Sequence, residues 1–133
     1  MEKYEGKWKL EESNGFDEFM EALNVSAPLR KLASLSKPKQ FIEQKDGGLY
    51  IKTTTSFKNT ELFFKLGEEF EEKTGDGRTV KTTINLDDEG RLVQIQPGTP
   101  EVSITREIKD EKYVMTLVCG DVTCTRIYKR HEK

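Results

Sequence analysis

The sequence predicts an all-β fold, an antiparallel sandwich or barrel with two short helices near its beginning. Three observations carry the prediction. Turn signals at Asp46-Gly47-Gly48, Gly67, Gly75-Asp76-Gly77, Asp87-Asp88-Glu89-Gly90, Pro97-Gly98-Thr99-Pro100, Lys109-Asp110-Glu111 and Gly120-Asp121 recur about every 9–12 residues, the spacing of short strands joined by tight connections. The segments between them hold β-branched and aromatic residues with period-two alternation. One region breaks that pattern and follows helical spacing instead.

Taken in order, residues 7–11 form a strand with Trp8 and Leu10 on one face and Lys7, Lys9 and Glu11 on the other. Phe16, Phe19, Met20 and Leu23 then recur at helical spacing, with Asp17, Glu18 and Glu21 between them. Ser26 stands where an N-cap is wanted and Pro28 falls in the first turn of a second helix. Leu29, Leu32, Ala33 and Leu35 continue its helical face, and Pro38 ends it. The two helices form a hairpin joined near Asn24-Val25-Ser26, and about nine strands follow. In 49–57, Leu49, Ile51, Thr53, Thr55 and Phe57 share a face. In 78–86 the shared face holds Arg78, Val80, Thr82, Ile84 and Leu86. Val102, Ile104, Arg106 and Ile108 share one in 102–109, as do Val122, Cys124, Arg126 and Tyr128 in 122–129.

The 133 residues make one domain's worth of chain. Charged residues are 35% and hydrophobic ones 34%, too rich in core formers for disorder yet lean for a solid interior. Twenty-two basic and 24 acidic side chains leave a net charge of −2, which removes the electrostatic case for nucleic acid. No apolar run approaches the ~18–20 residues of a membrane span. The start, Met1-Glu2-Lys3-Tyr4-Glu5, has no apolar signal region, so a cytoplasmic location is expected. Cys119 and Cys124 are expected to be free thiols, and His131 is the one histidine, so neither zinc nor a Cys–His nucleophile is expected. There is no dinucleotide, P-loop or nucleophile-elbow motif, and no positive sign of catalysis or of a cofactor.

The anomaly is two arginines on inward faces. A two-residue turn at Gly120-Asp121 pairs Leu117 with Cys124 and Met115 with Arg126, and one at Asp110-Glu111 pairs Arg106 with Met115. Arg106, Met115 and Arg126 thus lie in one row across three strands, with the arginines roughly 10 Å apart at the Cα level. Two buried cations without partners are very costly. Either an internal carboxylate such as Glu72 meets them, or the strand phase is reversed and both face solvent, or they line a cavity that takes an anion with a long apolar tail.

At this point the sequence resembles the intracellular lipid-binding proteins, in particular the heart- and adipocyte-type fatty-acid-binding proteins. The resemblance rests on Gly6-Lys7-Trp8-Lys9-Leu10 through Asn14-Gly15-Phe16-Asp17, on Ser56-Phe57-Lys58-Asn59-Thr60-Glu61 with Leu66-Gly67-Glu68-Glu69-Phe70, on Asp76-Gly77-Arg78, and on Arg126-Ile127-Tyr128; it covers the whole chain. It implies a single domain, 1–133, built as a ten-stranded antiparallel up-and-down β-barrel (a β-clam) capped by a helix-turn-helix lid at about 16–36. It implies one long-chain fatty acid inside, its carboxylate on Arg126 and Tyr128 and, directly or through water, on Arg106. Phe16, Met20, Pro38, Thr53, Thr55, Met115 and Leu117 would line the cavity. The second helix and the turns bearing Phe57 and Asp76 would form the portal, with Arg78 among the ligand-binding residues. Gly67 would mark a gap between neighbouring strands. The resemblance further implies a monomeric carrier, not an enzyme, that touches membranes transiently through the lid. A retinoid carrier on the same fold, or a membrane-associated structural protein like myelin P2 with Arg30, Lys31, Lys37, Lys39 and Lys58 as a basic portal rim, remain open. The segment Gln96-Pro97-Gly98-Thr99-Pro100 departs from the family's Trp-Asp-Gly turn and is expected to alter a remote loop only.

Overall fold

A computed structural model describes residues 1–56 and 58–131. A single turn of 3₁₀ helix, Glu2–Tyr4, precedes β1 (Gly6–Asn14), α1 (Phe16–Ala22) and α2 (Ala27–Ser34). Nine further strands follow: β2 (Lys39–Lys45), β3 (Gly48–Thr54), β4 (Asn59–Phe64), β5 (Phe70–Lys73), β6 (Thr79–Leu86), β7 (Leu92–Gln96), β8 (Val102–Lys109), β9 (Lys112–Cys119) and β10 (Val122–Arg130). They form one antiparallel sheet in the order β4-β3-β2-β1-β10-β9-β8-β7-β6-β5, a nearly closed barrel. β4 and β5 are its two edges, and no strand pairing joins them among the described residues. This is the expected ten-stranded barrel with a helix-turn-helix, and the turn at Gly67 lies between the two edge strands. The stacked rings of Phe64 and Phe70, 6.3 Å apart, bridge that gap at one end.

The registers of the last three strands follow the turn arithmetic. Arg106 pairs with Met115, Met115 with Arg126, Leu117 with Cys124 and Cys119 with Val122. Burial alternates along β8, β9 and β10, so one face of each strand is packed inward. Cys119 and Cys124 are buried free thiols. The foot of the barrel is closed by rings: Trp8 lies 5.4 Å and Tyr4 6.3 Å from Tyr113, which lies 5.3 Å from Tyr128.

Several local details differ from the sequence reading. Ser26 is the N-cap residue of α2, but its side chain makes no capping hydrogen bond. The helix stops at Ser34, short of Pro38, because the amides of Leu35 and Ser36 already turn back to the carbonyls of Leu32 and Ala33. Leu86 is exposed, since it ends β6 beyond the packed interior. Phe19 and Met20 of α1 are buried, whereas no residue of α2 is. α1 can begin against β10 because Gly15 has φ +82° and a β-carbon there would stand 2.6 Å from the Thr123 carbonyl oxygen.

Candidate polar cavity site

Inward phase on β8 and β10 delivers Arg106 and Arg126 to the interior, where they are 5% and 6% exposed. The phase expected from alternation holds, so neither arginine faces solvent. Met115 stands between them on β9. Arg126 stacks over the Phe16 ring, with its guanidinium carbon 3.7 Å from the ring centre, a cation–π contact made in a desolvated setting. Its Nε is buried without a hydrogen-bond partner. Burial holds the Arg126 pKa below the usual arginine value, while the hydroxyl of Tyr128 beside it opposes that shift. Arg106 is better provided for. Its Nε donates to the Tyr113 hydroxyl at 3.0 Å and its Nη1 donates to Gln94 Oε1.

Gln94 leads to a network that sequence reasoning missed. Its Nε2 donates to Glu72 Oε1 at 2.9 Å, an oxygen that also accepts from the Thr82 hydroxyl at 2.7 Å and from Gln96 Nε2 at 3.1 Å. Gln96 Oε1 accepts from Arg78 Nη2, and Arg78 forks onto the Asp76 carboxylate at 2.6 and 3.1 Å. Burial is the largest single influence on the Asp76 carboxyl and raises it, but the hydrogen bonds from Arg78 and Thr74, the Arg78 charge and a backbone amide together hold its pKa below the ordinary value. One chain of hydrogen bonds therefore runs from the β5–β6 turn to Arg106. Glu72 is an internal partner of Arg106, but through a glutamine rather than directly, because Gln94 occupies the space between them. The signal for this was present: Gln94 and Gln96 alternate with Leu92 on the inward phase of β7, and all three are buried. The Gln96 segment is thus not wholly remote from the site, contrary to the expectation from its sequence.

A cavity of about 410 Å³ touches Thr53, Glu72 and Arg106 inside the barrel and Phe63 and Lys73 at its mouth. The last two point outward from β4 and β5, so the mouth lies at the gap between the edge strands. The volume lies within the ~300–1,000 Å³ of small-molecule sites. Of the other residues expected to line the interior, Met20, Met115 and Leu117 are buried and Phe16 packs against the core. Pro38 is buried, and its carbonyl accepts from the Leu10 amide. Thr55 sits in the β3–β4 turn, its hydroxyl hydrogen-bonded to Lys58. Phe57 lies outside the described residues. Lys58 reaches across to the Gly75 carbonyl at 3.1 Å and ties the two turns together. Arg30 is engaged with Asp17 and the Val25 carbonyl, so it braces the two helices and is not a free cation on a basic rim.

Burial pushes the phenols of Tyr4 and Tyr128 up to about 12. Each stays neutral in the fold where the unfolded chain ionises at the ordinary value of 10.0. The stability they contribute is complete below that value and is lost as pH rises through 12. The urea midpoint, followed by Trp8 fluorescence, is expected to fall steadily over this alkaline window. A flat midpoint would contradict the burial of both hydroxyls.

Residues 5–131 match the lipocalin / cytosolic fatty-acid binding protein family, and the chain belongs to it. It is 46% identical over 125 residues to sodium/calcium exchanger regulatory protein 1 of Doryteuthis pealeii, covering 94% of each chain. It is 44% identical over 133 residues to fatty acid-binding protein 5 of Homo sapiens, covering 99% of this chain and 98% of that one. Its fold superposes on a Schistosoma mansoni fatty acid binding protein solved with arachidonic acid, with a TM-score of 0.93, 38% identity and coverage of 99% and 98%.

Proposed function

We propose that this protein is a carrier, not an enzyme, that holds one long-chain fatty acid in its barrel, acting as a cytoplasmic monomer. The observation that carries the reading is Arg126, a buried cation with an unpartnered Nε, beside Tyr128 and Arg106 in a barrel whose interior combines this polar side with buried apolar residues such as Met20, Ile51, Met115 and Leu117. Such a charge is stabilised by an anion that brings its own apolar chain. The relatives named as fatty-acid-binding proteins support the same ligand class. About 15 methylenes gain at most ~12 kcal/mol on burial at ~0.8 each. Association costs of roughly 4–15 kcal/mol offset much of that. The guanidiniums and phenol then fix orientation and select the headgroup. Phe16, Met20, Pro38, Thr53, Thr55, Met115 and Leu117 serve as the wall, and the β3–β4 turn with Phe57 and the Asp76–Arg78 turn serve as the portal. Native mass spectrometry of the purified protein, followed by displacement with oleate and with retinoic acid, tests the reading. Oleate should displace the bound species at lower concentration, and the reverse order would make the protein a retinoid carrier.

Transient membrane contact belongs to α2. Leu29, Leu32 and Leu35 are 55%, 51% and 74% exposed, and Lys31, Lys37 and Lys39 are exposed among and after them. An exposed apolar row beside lysines suits an anionic bilayer surface. Transfer of a fluorescent fatty acid to phosphatidylserine-containing vesicles is expected to speed up with vesicle concentration. In a Leu29→Gln, Leu32→Gln, Leu35→Gln variant it should become independent of vesicle concentration with the fold unchanged, since α2 buries none of these residues. Unchanged transfer in that variant would remove the lid from the mechanism. The relative named as an exchanger regulator favours a second reading, in which the loaded protein acts on a membrane ion exchanger. Exchanger currents in excised patches, with and without fatty-acid-loaded protein, test it, and identical currents dismiss it.

A further inference from the structure

Among the described residues three guanidiniums, of Arg78, Arg106 and Arg126, and two carboxylates, of Glu72 and Asp76, reach the polar side of the interior, and they are unequally compensated. Arg78 is paired with Asp76. Arg106 is joined through Gln94 to Glu72. Gln94 and Thr82 are 0% exposed and Arg106 is 5% exposed, while Glu72 is half-buried on the cavity wall, so the middle of the relay is shielded from solvent and the attraction between its two charged ends is only partly screened. Arg126 meets no carboxylate among the described residues; its neighbours are the Phe16 ring and the Tyr128 hydroxyl. One positive charge is therefore left over, and it sits at Arg126. Glu72 and Arg106 also line the same cavity, so a ligand group that reaches Arg106 comes up against Glu72.

We propose that Glu72 is the counter-ion of Arg106, acting through Gln94, and that it thereby sets headgroup specificity: the barrel accepts amphiphiles with one negative charge and rejects dianionic headgroups. The inference rests on the carrier reading above. A second negative group placed at Arg106 has to displace Gln94 and stand beside the half-buried Glu72 carboxylate, a like-charge contact that disfavours it. A monoanion on Arg126 leaves the relay intact and brings the interior to charge balance.

The test is calorimetry of the full chain with hexadecanoate and with 2-tetradecylsuccinate, which carries two carboxylates on a comparable tail, at a pH where both are ionised. Wild-type protein should bind the monoacid at least ~30-fold more tightly, and Glu72→Gln should narrow that ratio at least tenfold. Glu72→Gln should also make Arg106 available. Arg126→Gln, expected to weaken hexadecanoate binding roughly 10–150-fold in the wild type, should then weaken it less than about threefold in the Glu72→Gln background. Gln94→Met cuts the relay without removing either charge and should shrink the Arg126→Gln effect at least threefold, which keeps the test open if Glu72→Gln does not fold. An Arg126→Gln effect of equal size in all three backgrounds, or an unchanged headgroup ratio, overturns the role of Glu72 and leaves the carrier reading standing. Absence of hexadecanoate binding, or an Arg126→Gln change that costs nothing in the wild type, overturns both.

Discussion

Arg126→Gln is expected to weaken oleate binding by roughly 10–150-fold, because a charge-assisted hydrogen bond to a headgroup contributes about 1.5–3 kcal/mol. The same substitution should leave the empty protein as stable as before or more so. Arg126 is 6% exposed and its Nε is unpartnered, so the desolvation cost of the charge exceeds what the Phe16 ring and the Tyr128 hydroxyl return. Glutamine keeps polarity without charge. Oleyl alcohol provides the control, since it retains the tail and drops the carboxylate. Wild-type protein should prefer the acid strongly, and Arg126→Gln should compress that preference. Calorimetry with both ligands on both proteins yields the coupling directly. A coupling near zero would mean that the guanidinium does not meet the headgroup.

Trp8→Ala is expected to cost about 3–5 kcal/mol of stability, the range for truncating a large buried aromatic. Trp8 is fully buried, its indole N–H donates to the Tyr4 carbonyl at 2.9 Å, and its ring packs against Tyr113. The Arg130 guanidinium covers the ring with its carbon 4.0 Å from the centre. Removing the indole opens a void between β1 and the ring cluster at the foot of the barrel and orphans the Tyr4 carbonyl. Urea unfolding followed by far-ultraviolet circular dichroism would measure the loss. A cost below about 1 kcal/mol would show that neighbouring rings collapse into the space.

These two residues illustrate different kinds of legibility. Trp8 could be placed in the core from its alternation with Lys7 and Lys9 alone, because a strand side chain has only two faces to choose between. Arg126 was harder, since an arginine on an apolar face is ambiguous by composition. Hairpin arithmetic resolved its neighbours: two tight turns fixed the row Arg106–Met115–Arg126, and the observed pairings are those. The helix hairpin was legible from spacing, but which of its faces is covered was not. The helical periodicity of Leu29, Leu32 and Leu35 resembles that of a buried stripe, and only the path of the chain leaves it in the open.

By itself the sequence determined the alternation along the strands, the registers of the last two hairpins, the order of one strand, two helices and nine strands, and the row that joins Arg106, Met115 and Arg126. All of these follow from local periodicity and from turns that join neighbours along the chain. That this row faces inward was decided by the structure. Closure and pairing of charges were decided by the tertiary structure. That β1 lies beside β10, that β4 and β5 remain unpaired, and that Glu72 on β5 reaches Arg106 on β8 through Gln94 on β7 depend on how far the sheet curls before its ends meet. Curling is a sum of small twists over ten strands and has no signature in any one segment. The glutamines of β7 read as unremarkable polar residues until the sheet bends a carboxylate from one strand and a guanidinium from another onto the two ends of the Gln94 amide.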